Sequence, residues 1–236
     1  QLFEKLLADA QVNKEAYTNM TSDILKARSD AKLNQGQNFS RLMSFAMYGP
    51  KSPATNLLTE AELTNMNPQE LVDRIHNQNS YKHRILYYGP SSSKDLLATI
   101  NQYHQVPAAL KDIPAGNEYS YLETPVTKVL VAPYDAKQIY MAQISNLDKK
   151  YDPAIEPIRA LYDEYFGGGM NSIVFQEMRE TRGLAYSAWA SIMPPSYLKY
   201  PYVLRTQIAT QNDKMIDAVT TFNDIINNCL LYTSDA

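Results

Sequence analysis

Residues 165–190 read YFGGGMNSIVFQEMRETRGLAYSAWA, and the way this stretch divides decides the fold. Gly167, Gly168 and Gly169 predict a flexible turn. Asn171 or Ser172 supplies a helix cap, because a short polar side chain accepts a hydrogen bond from a free first-turn N–H. Val174, Phe175 and Met178 fall on one helical face, so a short amphipathic helix is predicted from Asn171 to about Arg182. Arg179 and Arg182 lie in its last turn, where positive charge suits the negative end of the helix dipole. Gly183 closes the helix, since it takes a left-handed conformation without a Cβ penalty. Leu184 to about Ile192 follows as a strand, with Tyr186 on the face shared by Leu184 and Ala188. Arg179 and Tyr186 stand seven residues apart across this junction, which brings both to one end of a sheet as a candidate site. Local physics leaves a plainer reading open: a glycine helix stop, a solvated Arg and a half-buried strand Tyr. The glycines do not fit nucleotide binding. No Lys follows as a phosphate loop requires, and Ser172 stands where a dinucleotide fold needs its third glycine.

Working outward, Asp152-Pro153 starts a helix that runs to Phe166, with Ile155, Ile158, Leu161, Tyr162 and Tyr165 as its apolar face. Before it, TKVLVA (127–132) and QIYMAQIS (138–145) read as two strands joined by a turn. After the central stretch, a proline-rich loop leads to the strand YVLRTQIA (202–209) and a last helix from Gln211 to Asn228. Residues 106–125 carry Pro107, Pro114, Gly116 and Pro125 without a sustained period, and form a linker. Residues 1–105 are mostly helical. Their Gln35–Asn38 segment is a polar break, and Gly49-Pro50 ends the helix that restarts at Phe39. Asn67, Pro68 and Glu70 make a capped helix start with the pattern of a capping box. HRILYY (83–88) is a strand closed by Gly89-Pro90, and Ser91, Ser92 and Ser93 offer caps for the helix after it.

Composition narrows the function. The chain has 236 residues, 44% of them hydrophobic, enough for one large or two small cored domains. A net charge of -3 and a pI near 5.7 argue against a nucleic-acid surface. No apolar run approaches the roughly 18 residues of a transmembrane helix. Gln1 falls inside a helical pattern, so the natural N-terminus is expected upstream. The last eight residues, CLLYTSDA (229–236), resemble a translated sequencing-library adapter and are set apart from fold reasoning. The one cysteine, Cys229, lies in that tail, so neither a disulfide nor a thiolate site is expected.

The glycine turn, the helix and the run R-x-x-x-G-L-A-Y-S resemble the insulinase/pitrilysin family of zinc peptidases. ILYYGP (85–90) is typical of the closing segment of a domain in the same family. The resemblance implies an α+β fold, helices packed on antiparallel sheets, in two consecutive partial family domains. Residues 1–105 would end one domain, 106–125 would link, and 126–228 would begin the next. It implies that Arg179 and Tyr186 contact the substrate backbone near the scissile bond, in the half of the enzyme that carries no zinc. A bare backbone at Gly167, Gly168 and Gly169 adds a substrate-binding expectation.

The family's zinc motif, H-x-x-E-H, is absent here. His76, His83 and His104 fit no such pattern and read as ordinary surface or satisfied histidines. Glu177 and Glu180 read as a solvated helix face. No metal is therefore expected in this fragment, and zinc is expected in the missing N-terminal half of the parent. The fragment alone is expected to be inactive, and the parent to be a zinc metalloendopeptidase acting on peptides or unfolded polypeptides in an enclosed chamber. The zinc-bearing half would lie in the same chain or in a partner chain. The alternative is a zinc-less scaffold or peptide-binding subunit of the same family.

Overall fold

A computed structural model describes residues 2–228. The adapter reading of 229–236 lies outside the described residues. The chain separates into two units, one of Gln1–Asp30 with Leu57–Glu118, the other of Ala31–Asn56 with Tyr119–Ala236.

The first unit is built of short helices: α1 (Leu2–Ala8), most of α2 (Lys14–Lys32), α4 (Glu60–Asn65), α5 (Pro68–Asn77) and α6 (Ser93–Tyr103). Their starts follow from side-chain chemistry. Asn67 Oδ1 accepts from the Gln69 N–H at 3.1 Å, and Pro68 sits in the first turn. The capping box itself forms one helix earlier. There Thr59 accepts from the Glu62 N–H at 3.2 Å, while the Glu62 carboxylate accepts from the Thr59 N–H at 2.7 Å. The Thr59 N–H and then its hydroxyl, both donating to the carboxylate, hold the Glu62 carboxyl below its ordinary range. Ser92 caps α6 by accepting from the Asp95 N–H. Leu63 and Val72 are buried, and the Tyr17 hydroxyl donates to the Leu63 carbonyl, tying α2 to α4. HRILYY is extended but joins no ladder among the described residues, with Leu86 92% exposed. Strand propensity is realised only against a partner edge, and the pairing here stops at one bridge between Tyr81 and Lys111.

The second unit holds α3 (Gln35–Tyr48), a three-stranded antiparallel sheet, and the helices that cover it. The helix of residues 35–48 starts earlier than predicted, because Asn34 accepts from the Gln37 N–H and so converts the expected break at 35–38 into a first turn. Residues 31–56 belong with this unit for visible reasons. Phe39 meets Tyr140 edge-on at 5.6 Å, Tyr48 lies 5.1 Å from Tyr121, and the Leu122 N–H donates to the Met47 carbonyl at 2.7 Å. Burial and the Tyr121 hydroxyl push the Tyr48 phenol up to about 12.

The sheet runs β1 (Gln138–Lys150), β3 (Pro201–Gln211), β2 (Ser187–Met193), with β3 in the centre and both pairings antiparallel. The register sets Ser187 and Tyr140 opposite Ala209 from either side. The core is Phe166, Val174, Met178, Ala185, Ala188, Ala190 and Ile208, sealed by Ala218, Phe222 and Ile225 of α9 (Met215–Asn227). The predicted strand at 127–132 is extended but lies in no ladder among the described residues, and Val129 and Val131 are 82% and 80% exposed.

Two predicted helices are built differently. The first is α7 (Glu156–Asp163), which continues as a π-helical turn over Glu164–Gly168. Along this element Phe166 is buried and stacks on Tyr162 at 5.1 Å, whereas Ile158 and Leu161 of the expected apolar face are exposed. The second is only three residues of α-helix, α8 (Ile173–Phe175), followed by a π-helical turn over Gln176–Thr181.

Candidate functional site

Ser172 caps α8 by accepting from the Phe175 N–H at 3.3 Å, and its side chain is fully buried. Val174 and Met178 drive this element into the core. The Met178 carbonyl then accepts from two N–H groups, Leu184 at 2.8 Å and Ala185 at 3.1 Å, folding the chain sharply back. Gly183 makes that corner at φ 57°, as expected of a helix-closing glycine. Three further bonds hold it. Lys214 Nζ donates to the Gly183 carbonyl at 3.0 Å, the buried Thr210 hydroxyl donates to the Leu184 carbonyl at 2.6 Å, and the Tyr186 N–H donates to the Ala209 carbonyl at 2.8 Å.

The corner brings Arg179 and Tyr186 together. The Arg179 guanidinium carbon lies 5.7 Å from the Tyr186 ring centroid and 4.9 Å from that of Phe175, so the cation is within reach of two aromatic rings. Its Nε is 3.5 Å from Glu180 Oε1. Both groups of the pair reach solvent: the Tyr186 residue is 71% exposed and the Arg179 side chain 45%. Tyr186 does not share a face with Leu184 and Ala188, which pack on the core; the regular ladder begins only at Ser187, so Tyr186 is free to turn outward. Phe175, expected on the buried face with Val174 and Met178, is only half-buried and turns to Arg179; an aromatic four residues before an Arg on a helix is the sequence signal for that role. Thr210 and Lys214 carried no such signal, because their partners are carbonyls brought close only by the fold.

The glycines serve a different place. Gly167 is buried against β2. A Cβ there would lie 2.3 Å from the Ala190 carbonyl oxygen and 2.5 Å from its nitrogen. Ala190 is four residues along from Tyr186, about 13 Å at the usual strand rise. Gly167 is thus closed to a ligand, and the predicted flexible turn is instead the end of a helix pressed on a strand edge. Gly168 is exposed and Gly169 half-buried. The same edge is capped by charge. Asp163 accepts from the Ile192 N–H at 2.7 Å and from Ser191 Oγ at 2.9 Å, while Arg159 donates to the Ile192 carbonyl and pairs with Asp163 at 2.6 Å. Glu177 and Glu180 each face an arginine, Arg182 at 3.3 Å and Arg179 at 3.5 Å, and do not form an acid–base couple. Among the described residues no group of three or more His, Cys, Asp or Glu is placed to hold a metal ion, and no helix is long and apolar enough to cross a membrane.

Comparison with known proteins identifies a peptidase-family non-catalytic domain. Residues 85–230 match the family model described as the peptidase M16 inactive domain. The chain belongs to that family, the insulinase-like peptidases. A solved peptidase M16 inactive domain from Pseudomonas fluorescens is similar in fold, with a TM-score of 0.63 at 16% identity over 96% of this chain and 55% of that one. A protease from Helicobacter pylori superposes with a TM-score of 0.64 at 12% identity, covering 95% of this chain and 55% of its own. The ferredoxin protease FusC, solved as a mutant in complex with Arabidopsis ferredoxin, gives 0.59 at 11% identity over 96% of this chain and 25% of that one. The chain thus spans about half or less of the length of these solved chains. No curated protein matches it.

Proposed function

We propose that this chain is the substrate-contacting, non-zinc half of a zinc metalloendopeptidase that hydrolyses peptides in an enclosed chamber. The observation that carries the reading is the Arg179–Tyr186 pair, held together at a rigid corner and open to solvent. Arg179 offers a planar fork of donors to peptide carbonyls. The Tyr186 hydroxyl is suited to donate to the oxyanion that forms when a zinc-activated water attacks the peptide bond. In this reading the metal is supplied by the other half, in the same chain or in a partner chain. Gly168, exposed beside β2, is where bare backbone can approach a substrate. Residues 1–105 would then end one family domain and 126–228 begin the next, across a linker at 106–125. The ferredoxin complex of the FusC protease supports a polypeptide ligand for this fold.

The test is made in the full-length protein that contains this chain. Zinc-dependent hydrolysis of an unstructured peptide is expected, and Tyr186→Phe should lower kcat by roughly a hundredfold with little change in KM. Arg179→Lys should act mainly on KM. An unchanged kcat in Tyr186→Phe would remove the hydroxyl from the mechanism. A full-length protein without peptidase activity, yet still binding peptide through Arg179, would instead mark a scaffold subunit.

A further inference from the structure

The unit of Gln1–Asp30 and Leu57–Glu118 contains a polar arrangement that the peptidase reading does not use. His83 Nε2 and His104 Nε2 face each other at 2.7 Å, with the rings crossed at 84°. Each ring is anchored at its other nitrogen. His83 Nδ1 lies 2.6 Å from the Tyr81 carbonyl oxygen, and His104 Nδ1 lies 2.8 Å from Glu4 Oε1. The second Glu4 oxygen accepts from Asn79 Nδ2 at 3.2 Å.

Counting protons decides what this contact is. A carbonyl and a carboxylate only accept, so both Nδ1 atoms carry hydrogen. A neutral imidazole has one N–H. Two neutral rings anchored this way would turn two lone pairs on each other across the Nε2 contact. One additional proton makes the contact an N–H···N hydrogen bond. The ring pair then carries three protons on four nitrogens, and its positive charge faces the Glu4 carboxylate. That carboxyl is held below its ordinary range, first by its hydrogen bond to His104, which places the proton on the ring rather than on the acid. A metal ion fits less well. Two imidazoles on zinc at 2.0–2.1 Å need their nitrogens about 3.3 Å apart at the tetrahedral angle.

We infer that Glu4, His104 and His83 form a clasp closed by one shared proton, which fastens α1 to the segment around Tyr81–His83 and to the end of α6, and opens as the pH rises. Opening sends the proton to solvent and leaves facing lone pairs. The other titratable groups nearby are His76 of α5, Tyr103 of α6, Tyr81, Lys111 over the Tyr81 ring at 5.8 Å, and the Lys82–Asp112 ion pair. Both histidines line an open cleft of about 430 Å³ whose apolar wall includes Phe3 and Leu7 of α1. The sign follows from linkage. Stability drawn from a histidine's charged form is complete at low pH and lost as pH rises.

The chain has three histidines, so the test is direct. Long-range proton–nitrogen NMR of the ring nitrogens at pH 6 should show both Nδ1 atoms of His83 and His104 protonated and one bridging proton between their Nε2 atoms. As the pH is raised from there, that proton should be lost. Amide exchange across α1, corrected for base catalysis, should then accelerate several-fold as the helix opens locally. His83→Phe and Glu4→Gln should remove that acceleration. Both Nε2 atoms bare at pH 6, or the same acceleration in the variants, would overturn the clasp. So would saturable micromolar zinc binding that moves both rings. Should the variants fail to fold, the ring-nitrogen titration of the unaltered chain decides alone.

Discussion

Arg179 is held by contacts that its neighbours in sequence only half suggest. Phe175 and Tyr186 each bring a ring within cation–π reach of the guanidinium. An exposed cation–π contact contributes about 0.5–1 kcal/mol. Phe175→Ala should therefore weaken peptide binding roughly two- to fivefold, read by titrating a fluorescent unstructured peptide into the chain. An unchanged affinity would show that Arg179 keeps its position without the ring. Gly167 poses the opposite problem, since it has no room rather than a loose neighbour. Gly167→Ala would press a methyl group on the Ala190 backbone, and overpacking of this kind costs about 1–3 kcal/mol. The denaturant midpoint should fall accordingly. A midpoint equal to that of the unaltered chain would mean the helix end can withdraw from the strand freely.

Among the elements, the corner at Gly183 is the most economical to probe. A Cβ there would meet nothing within 4 Å, so Gly183→Ala isolates the cost of the left-handed backbone, about 1–2 kcal/mol. Thermal melting should show that loss, and peptide affinity should fall with it if the corner sets the Arg179–Tyr186 distance. The same corner shows what the sequence makes legible. The helix-closing glycine, the Ser172 cap and the caps at Asn67 and Ser92 were all readable, because each depends on a side chain and a backbone group a few residues apart. The Arg179–Tyr186 approach was readable for the same reason. The π-helical turns at 164–168 and 176–181 were not. They arise where a core residue, Phe166 or Met178, must reach a sheet whose position is set by distant strands, and a regular α-turn would aim it elsewhere. The strands expected at 83–88 and 127–132 failed for the complementary reason. A short run of apolar, β-branched or aromatic residues announces a strand, but only a neighbouring edge completes one.

At the scale of the molecule, the sheet unit is sensitive to acid through a network at its rim. The Tyr202 hydroxyl donates to Glu156 at 2.6 Å, and Arg159 pairs with the same carboxylate at 3.1 Å. These contacts hold the Glu156 carboxyl below its ordinary value near 4.5. A depressed carboxyl contributes stability above that value and loses it as the pH falls. The urea midpoint should thus drop between pH 5 and pH 3, and drop less in Glu156→Gln; equal slopes in the two proteins would discount the network. The histidine clasp of the first unit works in the reverse sense, so the two units should weaken at opposite ends of the pH scale. One further consequence concerns handling. The segment around Val129 and Val131 presents apolar side chains to water and lies in no ladder among the described residues. Such a segment is a template for a second chain. Concentrated preparations should therefore dimerise or precipitate through it, and lysine at these two positions is the natural remedy for anyone who needs the protein in solution.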